Sequence, residues 1–184
     1  MLVSAPSLHL FESSVWIDHH DRRVASAMLR NEPPFQALRL RRLYMQGGLD
    51  STAEVVTFSL GLRCHSSLEG LVFLHVALDT ADAMDAVVDA CIALRVLKLK
   101  LEWCHVVSAA LPQLTRLIAA GALRELWVDN HGSADMFGEA REEDTQLFVA
   151  AARASAMTRL EHDGSGNLPE NVFKAALYIS ARPQ

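Results

Sequence analysis

Apolar residues recur along this chain in one short, repeated arrangement. Leu123-Arg124-Glu125-Leu126-Trp127-Val128 has aliphatic residues at its first, fourth and sixth places. Leu40-Arg41-Arg42-Leu43-Tyr44-Met45, Leu68-Glu69-Gly70-Leu71-Val72-Phe73 and Leu94-Arg95-Val96-Leu97-Lys98-Leu99 repeat the spacing, and weaker copies begin at Glu12 and Met157. First places therefore fall at 12, 40, 68, 94, 123 and 157, with successive intervals of 28, 28, 26, 29 and 34. Self-similarity at a period in this range is the mark of a solenoid. It divides the chain into units of about 12–39, 40–67, 68–93, 94–122, 123–156 and 157–184, stacked as a single domain.

Between one apolar string and the next, the pattern changes from alternation to helical spacing. Ser51 and Glu54 stand as in a capping box, so a helix is predicted to start there and run to about residue 62. Met84, Val87, Val88 and Cys91 mark another over 82–93. Pro112 suits a first helical turn and Gly121 a residue just past the end, giving a helix over about 112–120. Further helices are predicted over 22–29, 144–154 and 170–180, the first stopped by Pro33 and Pro34. A short strand is expected at 7–11 and a poorly defined one at 157–162. Loops are expected over 131–143 and 164–169. Each connection holds a helix long enough for a crossover, so consecutive strands should be parallel. The apolar places point into a core shared between neighbours. Replacing Leu126 or Leu97 by alanine should accordingly cost about 2–5 kcal/mol.

An L-x-x-L-x-L string followed by an alanine-rich helix at about 28 residues resembles the ribonuclease-inhibitor-like class of leucine-rich repeats. The resemblance covers residues 12–184 and is strongest over 40–128. It implies an α/β horseshoe with a parallel sheet on its concave face and helices on its convex face. It also implies adaptor, inhibitor or effector roles, without catalysis or cofactor. The family usually carries Asn or Cys three places after the last apolar residue of the string. In this register those places hold His20, Gly48, Val76, Glu102, His131 and Ser165, so the expected polar ladder is missing.

Strand residues alternate between faces, so the third, fifth and seventh places should face outward. The third places are Ser14, Arg42, Gly70, Val96, Glu125 and Arg159. The fifth are Trp16, Tyr44, Val72, Lys98, Trp127 and Glu161, and the seventh Asp18, Gln46, Leu74, Lys100, Asp129 and Asp163. Aromatic residues and arginine are frequent anchors of protein interfaces. The candidate partner-binding residues are therefore Trp16, Arg42, Tyr44, Gln46, Lys98, Lys100, Glu125, Trp127 and Asp129, and the expected partner is a protein or peptide. The final helix ends in Ala175-Ala176-Leu177-Tyr178-Ile179 with no polar cap after it, which predicts end-to-end self-association or a larger partner.

Composition narrows the classes. With 184 residues and 51% hydrophobic content the chain can bury one substantial core. A formal charge of −5 does not favour nucleic acid. No apolar run is long enough for a membrane span, and the first ten residues lack the pattern of a secretion signal. Cys64, Cys91 and Cys104 are an odd number without scaffold spacing, so a reducing, cytoplasmic setting is expected.

Three strings bear on chemistry. Gln46-Gly47-Gly48-Leu49-Asp50-Ser51-Thr52 resembles the S-G-G-x-D-S loop of the ATP pyrophosphatase (PP-loop) enzymes, with Gln46 in place of the leading serine. A small nucleotide-binding enzyme using residues 47–52 is the alternative to a non-enzymatic module. In the repeat reading the same glycines make a turn and Ser51 caps a helix. Asp18-His19-His20-Asp21 looks like the D-H-H signature of manganese phosphoesterases but lacks an upstream D-x-D string. Cys64-His65 and Cys104-His105 match no standard zinc spacing, and the cysteines are expected to fill small core sites.

Overall fold

The computed structural model describes residues 14–18, 40–129 and 140–163, together with the helical positions Val172, Lys174, Ala175, Ala176 and Ile179. The strands are β1 (Ser14–Asp18), β2 (Arg42–Gln46), β3 (Gly70–Leu74), β4 (Lys98–Glu102), β5 (Glu125–Asp129) and β6 (Arg159–Asp163). They form one sheet in chain order, and every neighbouring pair is parallel. Among the described residues four helices connect them: α1 (Thr52–Leu62), α2 (Ala81–Leu94), α3 (Leu111–Ala119, entered through a 3-10 turn at Ser108–Ala110) and α4 (Glu142–Ala154). Among the described residues no helix is long and apolar enough to cross a membrane. The strand and helix expected at 7–11 and 22–29, and the loops at 131–139 and 164–169, lie outside the described residues.

The fourth unit differs from its sequence register. Leu71 pairs with Leu99, and Leu99 with Leu126. The first place is therefore Val96, fully buried, and the string is Val96-Leu97-Lys98-Leu99-Lys100-Leu101. Leu94 instead ends α2, where Arg95 closes the helix in the left-handed conformation at φ 56°. The backbone fixes this register independently. The carbonyls of Arg41, Glu69, Leu97 and Arg124 each accept two N–H bonds from the second and third places of the next unit. Leu97 is thus a second place and only half-buried, whereas Leu99 is 1% exposed. First places now fall at 40, 68 and 96, a constant 28.

One core lies between the sheet and the helices. Leu43, Met45, Leu71, Phe73, Leu99, Leu101, Leu126 and Val128 enter it from the strands, and Phe58, Met84, Val88, Leu114 and Phe148 from the helices. Phe58 meets Phe73 edge-on at 5.8 Å between centroids, an arrangement that adds specific attraction to area burial. Met84, Val87, Val88 and Cys91 are all buried, as their spacing predicts. Helix α4 begins at Glu142, two residues before the expected start, with Glu142, Glu143 and Asp144 in a first turn that suits negative charge.

The turns after the strands share one device. The residue at the eighth place adopts positive φ in three units: Gly47 at 63°, His75 at 55° and Trp103 at 55°. That twist aims Gly47 N–H at the Leu74 carbonyl (2.7 Å) and His75 N–H at the Glu102 carbonyl (3.0 Å). These two turns are thereby tied to the end of the next strand. Non-glycine residues rarely adopt this conformation, and here the inter-strand bond compensates for it.

Candidate binding face

The opposite sheet surface carries the third, fifth and seventh places. Register places Trp16, Tyr44, Val72, Lys100, Trp127 and Glu161 in one row across the six strands. Arg42, Gly70, Lys98, Glu125 and Arg159 form the row before it, and Asp18, Gln46, Leu74, Glu102, Asp129 and Asp163 the row after. Lys98 and Lys100 therefore move from the fifth and seventh rows to the third and fifth. A two-residue shift within an alternating strand preserves the face, so both still point outward. Val96, expected outward, is core, and Glu102 takes the seventh-row place that Lys100 leaves.

Three rings lie on this surface rather than beneath the helices. Trp16, 39% exposed, stacks on Tyr44 with centroids 5.4 Å apart and planes inclined by 12°. The Lys100 ammonium sits 3.8 Å above the Trp127 ring, and the Arg159 guanidinium lies 5.4 Å from it. Such pairs contribute about 0.5–2 kcal/mol and hold the ring in place. The Trp127 Nε1–H is shielded and has no acceptor among the described residues, so packing and cations position the indole.

Charge is sorted along the strand direction. The cations lie in the third and fifth rows, beside Glu125 and Glu161, while among the described side chains the seventh holds Asp18, Glu102 and Asp129 and no cation. Lys98 pairs with Glu125 at 2.6 Å, Lys100 with Glu102 at 3.0 Å and Arg159 with Glu161 at 2.7 Å. Outside the sheet row, Arg41 grips Glu69 through a bidentate contact, which holds that carboxylate below its ordinary range. Arg42 makes no hydrogen bond or ion pair among the described residues.

Gly70 opens a depression in the middle of this face, of about 270 Å³. It is lined by Arg42, Tyr44, Val72, Lys98, Lys100, Trp127 and Arg159, together with the strand segments at Leu71 and Leu99, whose side chains lie in the core. A Cβ at Gly70 would lie 3.4 Å from Arg42 Cγ and 4.0 Å from Lys98 Cβ, so the missing side chain creates the space. Of the candidate residues, Arg42, Tyr44, Lys98, Lys100, Glu125 and Trp127 line this depression. Trp16, Gln46 and Asp129 share the sheet face without lining it. Val72, Gly70 and Arg159 are lining residues that interface propensity alone did not select.

The glycine loop has a different environment. Ser51 caps α1, its Oγ accepting from Glu54 N–H at 3.4 Å, while Glu54 Oε2 accepts from Asp50 N–H at 2.9 Å and Ser51 Oγ–H at 3.0 Å. The Glu54 carboxylate thus occupies the anion position that a nucleotide phosphate would need at the helix start. Ser51→Ala is expected to cost about 1 kcal/mol, measured by chemical denaturation. Of the D-H-H string only Asp18 lies among the described residues, where no group of three His, Cys, Asp or Glu is placed to hold a metal.

The cysteines divide in two. Cys91 and Cys104 are core residues, but Cys64 is exposed rather than filling a core site. Burial pushes the Cys91 and Cys104 thiols up to about 12. Native protein should therefore modify quickly at Cys64 alone, with the other two reacting only after unfolding, as a timed thiol titration with Ellman's reagent would show. The folded state keeps protons that unfolded thiols release from about pH 9. Their contribution is intact below that pH and declines as pH rises toward 12, so denaturation midpoints should fall across this window.

No protein-family model matches the chain, and no curated protein matches it.

Proposed function

We propose that this chain is a divergent leucine-rich-repeat horseshoe, and that its concave sheet face binds a protein or peptide partner without catalysis. The feature that carries the proposal is the register itself. It brings Trp16, Tyr44 and Trp127 into a single row on the face not covered by the described helices. Large rings gathered on an open sheet, beside an arginine that has no ion pair among the described residues, are the composition expected of an interface centre.

The corrected register also strengthens the family resemblance. With Leu101 as the last apolar place of unit four, the position three residues on is Cys104, one of the two residue types the family uses there. Its Sγ donates to the carbonyls of Phe73 (3.6 Å) and Glu102 (3.4 Å), tying one turn to the preceding unit. Gly48 and Val76 hold the corresponding places in units two and three, so the family's ladder is represented by a single rung among the described residues.

The test compares wild type with a Tyr44→Ala/Trp127→Ala variant in affinity capture from cell extract, followed by titration of each captured protein. Partners that bind wild type and are lost from the variant support the proposal; partners retained equally by both would sink it. ATP with magnesium serves as the opposing arm. Measurable ATP binding that disappears in Asp50→Ala would favour the nucleotide enzyme instead. End-to-end self-association is a separate proposal, based on the final helix ending in Ala175-Ala176-Leu177-Tyr178-Ile179 with no polar cap after it, and on β1 and β6 being the outer strands among the described residues. A purely monomeric elution profile at high concentration would remove it.

A further inference from the structure

The depression at Gly70 differs in charge from the rest of the molecule. Four cations, Arg42, Lys98, Lys100 and Arg159, line it; Glu125, Glu102 and Glu161 pair with the last three, which leaves Arg42 in excess. The whole chain carries a formal charge of −5. An exception of this kind, at a concave spot with apolar walls, selects for a ligand of opposite sign. Arg42 contributes most to that selection. It is exposed, it has no ion pair among the described residues, and its planar guanidinium can hold a carboxylate through two parallel bonds. The three other cations are paired with Glu125, Glu102 and Glu161, which offset much of their field and fix their positions, so the net attraction centres on Arg42.

The apolar lining limits the ligand further. Val72 and the rings of Tyr44 and Trp127 give the depression a dry shelf beside its cations. A bare inorganic anion would leave that shelf uncovered, whereas a peptide carries both kinds of group on one chain. The acidic seventh row repels the same carboxylate and so confines it to the other end of the strands.

We infer that the depression around Gly70 docks an acidic peptide segment of a partner protein, with an Asp or Glu side chain on Arg42 and Lys98 and an adjacent apolar side chain against Tyr44, Val72 and Trp127. The inference rests on the proposed partner-binding face and adds the chemistry of the partner. Charge complementarity and the space left by Gly70 are its two independent supports.

The test is fluorescence anisotropy on the full chain with a panel of labelled peptides in which Glu or Asp alternates with Leu or Phe. A matched panel replaces the acids with lysine, and inorganic phosphate is the competitor. Acidic peptides are expected to bind in the micromolar range, about 1–100 µM, and lysine peptides at least about tenfold more weakly. Arg42→Glu should weaken the acidic panel at least about tenfold, and Arg42→Glu/Lys98→Glu should reverse the preference. Gly70→Val fills the space without altering charge and should weaken binding as strongly. Its backbone is ordinary strand, so it should fold, and circular dichroism of each variant verifies that. Equal binding of both panels, no binding of the acidic panel, indifference to Arg42→Glu, or full displacement by phosphate at an ionic strength that sodium chloride tolerates would each overturn the inference. The two proposals fail separately. A captured partner that depends on Tyr44 and Trp127 but not on Arg42 leaves the binding face standing and removes its acidic specificity.

Discussion

Leu99→Ala is expected to lower the unfolding free energy by about 2–5 kcal/mol, while Leu97→Ala, two residues away, should cost less than about 1 kcal/mol. The contrast follows from the register of β4. Leu99 is a fourth place, 1% exposed, between Leu71 and Leu126 in adjoining strands. Truncating it opens a cavity under three strands at once, and a layered core with neighbours on both sides has little room to collapse. Leu97 is a second place whose carbonyl anchors the next unit while its side chain is half-buried. The backbone bond survives the substitution, so only side-chain contacts are lost. Urea denaturation of both variants measures the difference. Equal losses would mean that the fourth unit is set as Leu94 to Leu99 after all.

Trp127→Ala should weaken binding of the partner by at least about thirtyfold, equivalent to about 2 kcal/mol or more. Trp127 is the ring on β5, bordered by Lys100 above it, Arg159 beyond it and the depression beside it. Its removal takes away the apolar wall and frees Lys100 from a defined position. The ring is half-buried on the outer surface, so the fold should survive, and unchanged thermal unfolding would distinguish lost affinity from lost structure. Trp16→Ala should have a smaller effect, because Trp16 is stacked on Tyr44 at the first strand and does not line the depression. Calorimetric titration with the identified partner checks both, and an unchanged affinity in Trp127→Ala would move the interface elsewhere.

The architecture was legible because one spacing recurs and because helix signals were local. Ser51 and Glu54, Pro112 and Gly121, and the run from Met84 to Cys91 each specified their element through chemistry within a few residues. The fourth unit was misplaced for a physical reason. Leu94, Val96, Leu97, Leu99 and Leu101 offer two overlapping strings of similar apolarity, and the choice between them is made by where α2 ends. Arg95 ends it in a left-handed turn that no residue preference announces. Holding the interval at 28 would have selected Val96. The binding face was partly legible, since alternation revealed which residues point outward. Its depression was not. A glycine in a strand only becomes a feature when Arg42 and Lys98 are known to flank it, and that neighbourhood depends on inter-strand register.

The doubled bonds at Arg41, Glu69, Leu97 and Arg124 have a consequence for how such a chain can grow. Each of these four joints uses the same two backbone donors and the same acceptor, with no side chain required to recognise its neighbour. Copying one whole segment, such as 68–95, into the gene would present identical joints at both of its borders. The surface would then widen by about 4.8 Å, one strand spacing, and the footprint offered to a partner would change in fixed increments while the chemistry of each row was inherited intact.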